Sequence, residues 1–129
     1  MTSWLSDQIF LEKLAAIDFG SIAFKLMNPD VGEGLTLEQA TRAIERYRRF
    51  LFLHYCYPNY SLVPSQEIDR VWHVHILDTA KYREDCNQLF GHFLDHYPYF
   101  GIGDDNAKQA LEAAYTQTQA LFHECFTDE

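Results

Sequence analysis

A chain of 129 residues, 47% hydrophobic and 22% charged, has the size and balance of one folded domain and not of a disordered segment. Its formal net charge of −9 sets it against nucleic acid and anionic membrane surfaces. Three cysteines without a CxxC exclude a disulfide framework or a cysteine-rich zinc knuckle.

The start, Met1 to Asp7, carries no basic stretch ahead of an apolar run, so no signal peptide is expected. No apolar run approaches the roughly 20 residues of a membrane span, and the expected compartment is a reducing cytoplasm. A first helix is predicted from about Ser6, as cap, to Phe19, with Phe10, Leu14 and Ile17 as its apolar stripe. A short piece from Ser21 to Met27 follows. Thr36 and Gln39 read as a capping box. Leu37, Ala40, Ile44, Tyr47, Leu51 and His54 then recur at steps of three and four, a single helix face closed by Pro58. On this helix Arg42, Arg46, Arg48 and Arg49 form the only basic cluster. Glu38–Arg42 and Glu45–Arg49 have i,i+4 spacing, which reads as a self-neutralised solvated face and not a phosphate-binding strip.

Pro64-Ser65 opens a fourth helix to about Leu77. Asp78 or Thr79 caps a fifth, which stops at Gly91, and His92 to His96 either extends it or turns away. The last helix starts at Asp104 or Asp105, with the stripe Ala107, Ala110, Leu111, Ala114, Tyr115, Thr118, Leu121, Phe122 and Cys125. No stretch alternates with period two. The expected architecture is an all-α, compact single-domain bundle of five or six helices spanning residues 1–129.

Of the six histidines, His54, His73, His75, His92 and His96 crowd the middle of the chain, while His123 falls off its helix stripe and reads as a surface residue. Asp69 and His73 are four apart, so both sit at one edge of the fourth helix, where a helix offers two ligands to one ion or a carboxylate to orient an imidazole. His75 lies about 200° from His73 and falls on the buried side with Ile68. His92 and His96 share a face if their segment is helical. Asp69, His73 and His96, with His92 or His54 as a fourth, would make a mixed nitrogen and oxygen set suited to zinc, iron, manganese or copper. The plain alternative is that His54 and His75 are core histidines and that Asp69–His73 is a surface pair. Cys86, mid-helix beside Glu84 and Asp85, reads as a buried apolar residue and not a nucleophile. Tyr97, Tyr99 and Phe100, around Pro98, form an aromatic loop beside His96, either a pocket wall or plain packing.

The run from Pro64 to Cys86, followed by Leu89-Phe90-Gly91, resembles the glycine-rich domain-containing protein-like family of bacteria, fungi and plants. An acidic residue, Trp-His-x-His, then Tyr, Cys and Gly carry the resemblance, here Asp69, Trp72, His73, His75, Tyr82, Cys86 and Gly91, with His96 and Pro98 further on. It covers about residues 45 to 100 and implies where a site lies, not which reaction it performs.

Two functions stand side by side. One is a small metal-binding protein, with Asp69, His73, His96 and His92 as ligands and His75, His54, Cys86, Trp72 and Tyr82 as surrounding or pocket residues. Its ion would act as a Lewis acid or activate oxygen. The other is a non-enzymatic interaction module whose histidines are structural. A small molecule or peptide is the expected partner, and nucleic acid and membrane are not. Whether the chain is an enzyme stays open at this level.

Overall fold

The computed structural model describes residues 4–97 and 99–126; Pro98, singled out in the sequence, lies outside them. Six helices follow in order: α1 Trp4–Ala16, α2 Gly20–Met27, α3 Leu37–Cys56, α4 Gln66–Leu77, α5 Thr79–Phe90 and α6 Asp105–Cys125. Among the described residues there is no strand, and no helix is long and apolar enough to cross a membrane.

Local chemistry sets most of the boundaries. Thr36 and Gln39 form the reciprocal box that opens α3. Ser65 caps α4 through Ile68 N–H, and Asp104 caps α6 through Ala107 N–H. Helix α1 already includes Ser6, so that residue sits within the first turns and does not cap them. Between α2 and α3 the chain folds back so tightly that a Cβ on Gly32 would meet the Lys25 carbonyl, which leaves only glycine there.

Helix α3 is the centre of the packing. It lies against α2 and α4, with α1 and α6 on its flanks. Tyr47, Phe50, Leu51 and Leu53 are buried along it, meeting Phe10 and Leu14 of α1, Ile22 and Leu26 of α2, and Val71 and Trp72 of α4. Fully burying each large apolar side chain contributes on the order of 1.5–3 kcal/mol. The Arg48 guanidinium donates to the carbonyls of Leu14 and Ile17, satisfying the end of α1 while resting on the Phe19 ring.

The arginine face is neutralised, with one change of partner. Arg49 approaches Glu45, as the spacing predicts, but Arg42 and Arg46 both reach across to Glu67 on α4, at 3.1 and 2.7 Å. Two guanidiniums hold the Glu67 carboxyl below its ordinary range against the opposing effect of burial.

Helix α6 departs from its expected stripe. Thr118, Leu121 and Phe122 are buried, but Ala110, Tyr115 and Cys125 are exposed. The helix rests mainly on α3, so a single neighbour covers only part of its face. Thr118 Oγ accepts from Val63 N–H at 3.0 Å, fastening α6 to the segment between α3 and α4.

Candidate metal centre

Two of three candidate ligands come from one helix. Asp69 and His73 stand one turn apart on α4, and His73 Nδ1 lies 3.4 Å from Asp69 Oδ2. The third arrives from the chain beyond α5. Gly91, at φ 74°, takes the left-handed conformation that ends α5 and turns the backbone away. His92 to Tyr97 therefore form no helix. His96 Nε2 reaches Asp69 Oδ1 at 2.6 Å. The ligand atoms of Asp69, His73 and His96 all lie within 4.8 Å of one another.

The same break in the helix separates His92 from His96. Without helical geometry they share no face. His92 is exposed, its Nδ1 lies 3.0 Å from the Phe93 carbonyl, and it stands outside the group.

Trp72 and Tyr82 hold His96 in place. The Trp72 indole stacks on the His96 ring at 4.0 Å and 11°. Its Nε1–H donates to the Tyr82 hydroxyl at 2.9 Å, and that hydroxyl donates to the Leu94 carbonyl at 2.5 Å. The backbone two residues before His96 is thus tied to the core through two side chains. His96 also stacks with His73, centroids 5.1 Å apart.

The group stands at the side of a cleft of about 500 Å³. Leu62, Val63, Trp72, Phe100 and Leu111 give it apolar walls, and Tyr60, Asp95 and Tyr97 add polar edges. His54, from the end of α3, also lines it, with its ring edge-on to Phe50 and tilted against Trp72. Its Nε2 is buried and has no hydrogen-bond partner among the described residues. Burial, assisted by the neighbouring His96, pushes the His54 pKa down to about 4, so the imidazole is neutral near pH 7.

His75 belongs elsewhere. Two residues on from His73, it points into the core, 1% exposed. Neutral His75 accepts the Tyr47 hydroxyl at Nδ1, 2.7 Å away, and donates from Nε2 to Asp85 at 2.8 Å. Lys81 pairs with the same carboxylate oxygen at 3.2 Å. Burial lowers the His75 pKa and raises that of Tyr47, which keeps both groups neutral. The network is closed, with each ring nitrogen satisfied, and it does not reach the cleft. Cys86 does not line the cleft either. It lies on the inward face of α5 with Tyr82 and Leu89, where burial pushes its thiol up. His123 is exposed.

Sequence reasoning missed Tyr47 and Asp85 as the partners of His75, and Asp95 and Leu111 as parts of the cleft. Tyr47, Asp85 and Leu111 lie ten or more residues from what they serve, where no local spacing marks the contact, while Asp95 sits beside His96 in a stretch whose expected helix the chain does not form.

Fold and site together describe an all-helical protein with a His/Asp group, able to hold a metal ion, beside a mixed aromatic cleft. A family model described as UCP032817-like matches residues 15–120, and the chain belongs to that family. It is similar to glycine-rich domain-containing protein 1 of Arabidopsis thaliana, 32% identical over 69 residues, which are 54% of this chain and 8% of that protein. Glycine-rich domain-containing protein 2 of the same plant is 33% identical over 54 residues, 42% of this chain and 7% of that protein. The matched segment is thus a small part of these relatives. No solved structure matches. The Trp-His-x-His pattern has a physical reading here: Trp72 stacks on His96, His73 joins Asp69, and His75 holds the core.

Proposed function

We propose that the protein binds one divalent transition metal ion through Asp69, His73 and His96, and that the adjoining cleft presents this ion to a small molecule. The convergence of three ligand atoms from two separate parts of the chain carries the reading. Ligands about 2.0–2.2 Å from a tetrahedral ion sit about 3.4 Å from each other. The His73–Asp69 separation of 3.4 Å agrees with that spacing. The His96–Asp69 contact of 2.6 Å is a hydrogen bond, and it would open modestly as an ion replaced its proton.

Two nitrogens and one oxygen suit zinc, iron(II), manganese or copper. Three protein ligands beside a cleft leave a position for water or substrate, the pattern of reactive sites rather than closed structural ones. Such an ion supplies Lewis-acid or oxygen-activating chemistry. The protein's own part is to orient the ligands: the Trp72 stack fixes the His96 ring, and Tyr82 fixes its backbone.

Elemental analysis of untagged protein tests the reading. One metal per chain is expected, falling to a small fraction in His73→Ala, with the identity of the ion read from the same sample. Folded wild type that takes up no ion and is indifferent to chelator would sink the proposal. That outcome would favour the second reading, in which the three groups hold only one another. The Asp69–His96 hydrogen bond is what speaks for it.

A further inference from the structure

His54 Nε2 is a buried polar atom without a partner among the described residues, and such atoms are rare in folded proteins because each forfeits a hydrogen bond. His75, a fully buried histidine, has both nitrogens satisfied. The difference lies in their surroundings: His75 is enclosed by core residues, whereas His54 lines the cleft beside the Asp69, His73 and His96 group. It lines the same cleft and stands outside that group.

The cleft also has a charge character. Among the described residues lining it there is no lysine or arginine, and two carboxylates, Asp69 and Asp95, face it. One divalent ion would only cancel those two charges, which leaves nothing to attract a phosphate or another strong anion. The walls are apolar and aromatic, and the volume of about 500 Å³ is that of a small-molecule site.

We propose that the cleft takes a small uncharged molecule with an apolar or aromatic body, its polar head set between the Asp69, His73 and His96 group and Nε2 of His54. This rests on the metal reading above. The body packs on Trp72, Phe100 and Leu111. The head meets the open position of the ion and, as the His54 ring turns to uncover its buried Nε2, gives that nitrogen its missing hydrogen bond.

The probe is 4-phenylimidazole, uncharged near neutral pH, with a metal-seeking nitrogen, a second ring nitrogen and a phenyl body. Its binding to the zinc-loaded full chain is measured by calorimetry beside imidazole and phenyl phosphate, with zinc content determined on every sample. 4-Phenylimidazole should bind about 10-fold more tightly than imidazole, since burying the phenyl group adds apolar contact. Phenyl phosphate should bind far more weakly. His54→Leu should keep its zinc and weaken the probe about 5- to 10-fold, the worth of one hydrogen bond. His54→Gln, which keeps a donor and an acceptor, should recover part of the loss and serves if His54→Leu does not fold. Unchanged probe affinity in both variants overturns the proposal. Tight phenyl phosphate binding does so too, as does loss of zinc in the variants, which would make His54 a ligand. If the wild type takes up no zinc at all, the metal reading falls and this inference falls with it.

Discussion

Consider unfolding the metal-free protein in urea from about pH 7 to pH 4, wild type beside His54→Leu. In the folded protein burial, with a smaller contribution from His96, places the His54 pKa at about 4, against 6.5 for an unperturbed imidazole. Between those values the unfolded chain binds the proton and the folded chain does not. Stability is therefore full above about pH 6.5 and is lost as the pH falls. Each unit costs about 1.4 kcal/mol, so the loss reaches about 2 kcal/mol near pH 5 and about 3 kcal/mol near pH 4, where the folded state begins to take up the proton and the curve flattens. Against a total stability on the order of 5–15 kcal/mol this is a large fraction. His75, whose pKa burial also lowers, adds a loss of the same sign, but it is present in both proteins and cancels in the comparison. The expected result is a difference between the two stability curves that changes by about 2 kcal/mol between pH 7 and pH 5, in favour of the variant at the lower pH. Parallel curves would refute the reasoning, because they would mean that His54 titrates alike in the folded and unfolded chains.

Tyr82→Phe removes the hydroxyl that links the Trp72 indole to the Leu94 carbonyl. It should cost about 1–3 kcal/mol in urea unfolding and weaken metal binding about 10-fold through a looser His96, read by competition with a chromogenic chelator. Tyr47→Phe leaves His75 Nδ1 without its donor. It should cost about 1–3 kcal/mol while metal content stays at the wild-type level, because the network does not reach the cleft.

Much of the fold is legible in the chain because its signals are local. The Thr36 box, the Ser65 and Asp104 caps and the stop at Gly91 are each decided within a few residues. Angular arithmetic on one helix also separates His73 from His75, one at the surface edge and one in the core. The site is only half local. Asp69 with His73 is a spacing, but His96 reaches Asp69 across 27 residues. A face shared by His92 and His96 requires a helix, and the left-handed turn at Gly91 denies it. Arg42 turns to Glu67 because α4 packs on α3 and brings a carboxylate there, a contact no i,i+4 rule contains. The half-empty stripe of α6 has the same origin: the pattern marks which side can be buried, while neighbours decide how much of it is.

The segment that delivers His96 to the metal group also carries Tyr97 and Phe100 into the cleft. On the reading proposed above, this stretch, hung from the core by Tyr82 and Leu94, would serve both an ion and a guest molecule. Whatever steadies this strap for one occupant has already spent part of the ordering entropy for the other. Linkage then requires reciprocity: an ion that tightens the guest must be tightened by it to the same degree. On that proposal the cleft and the Asp69, His73 and His96 group would form a single binding event with two entrances.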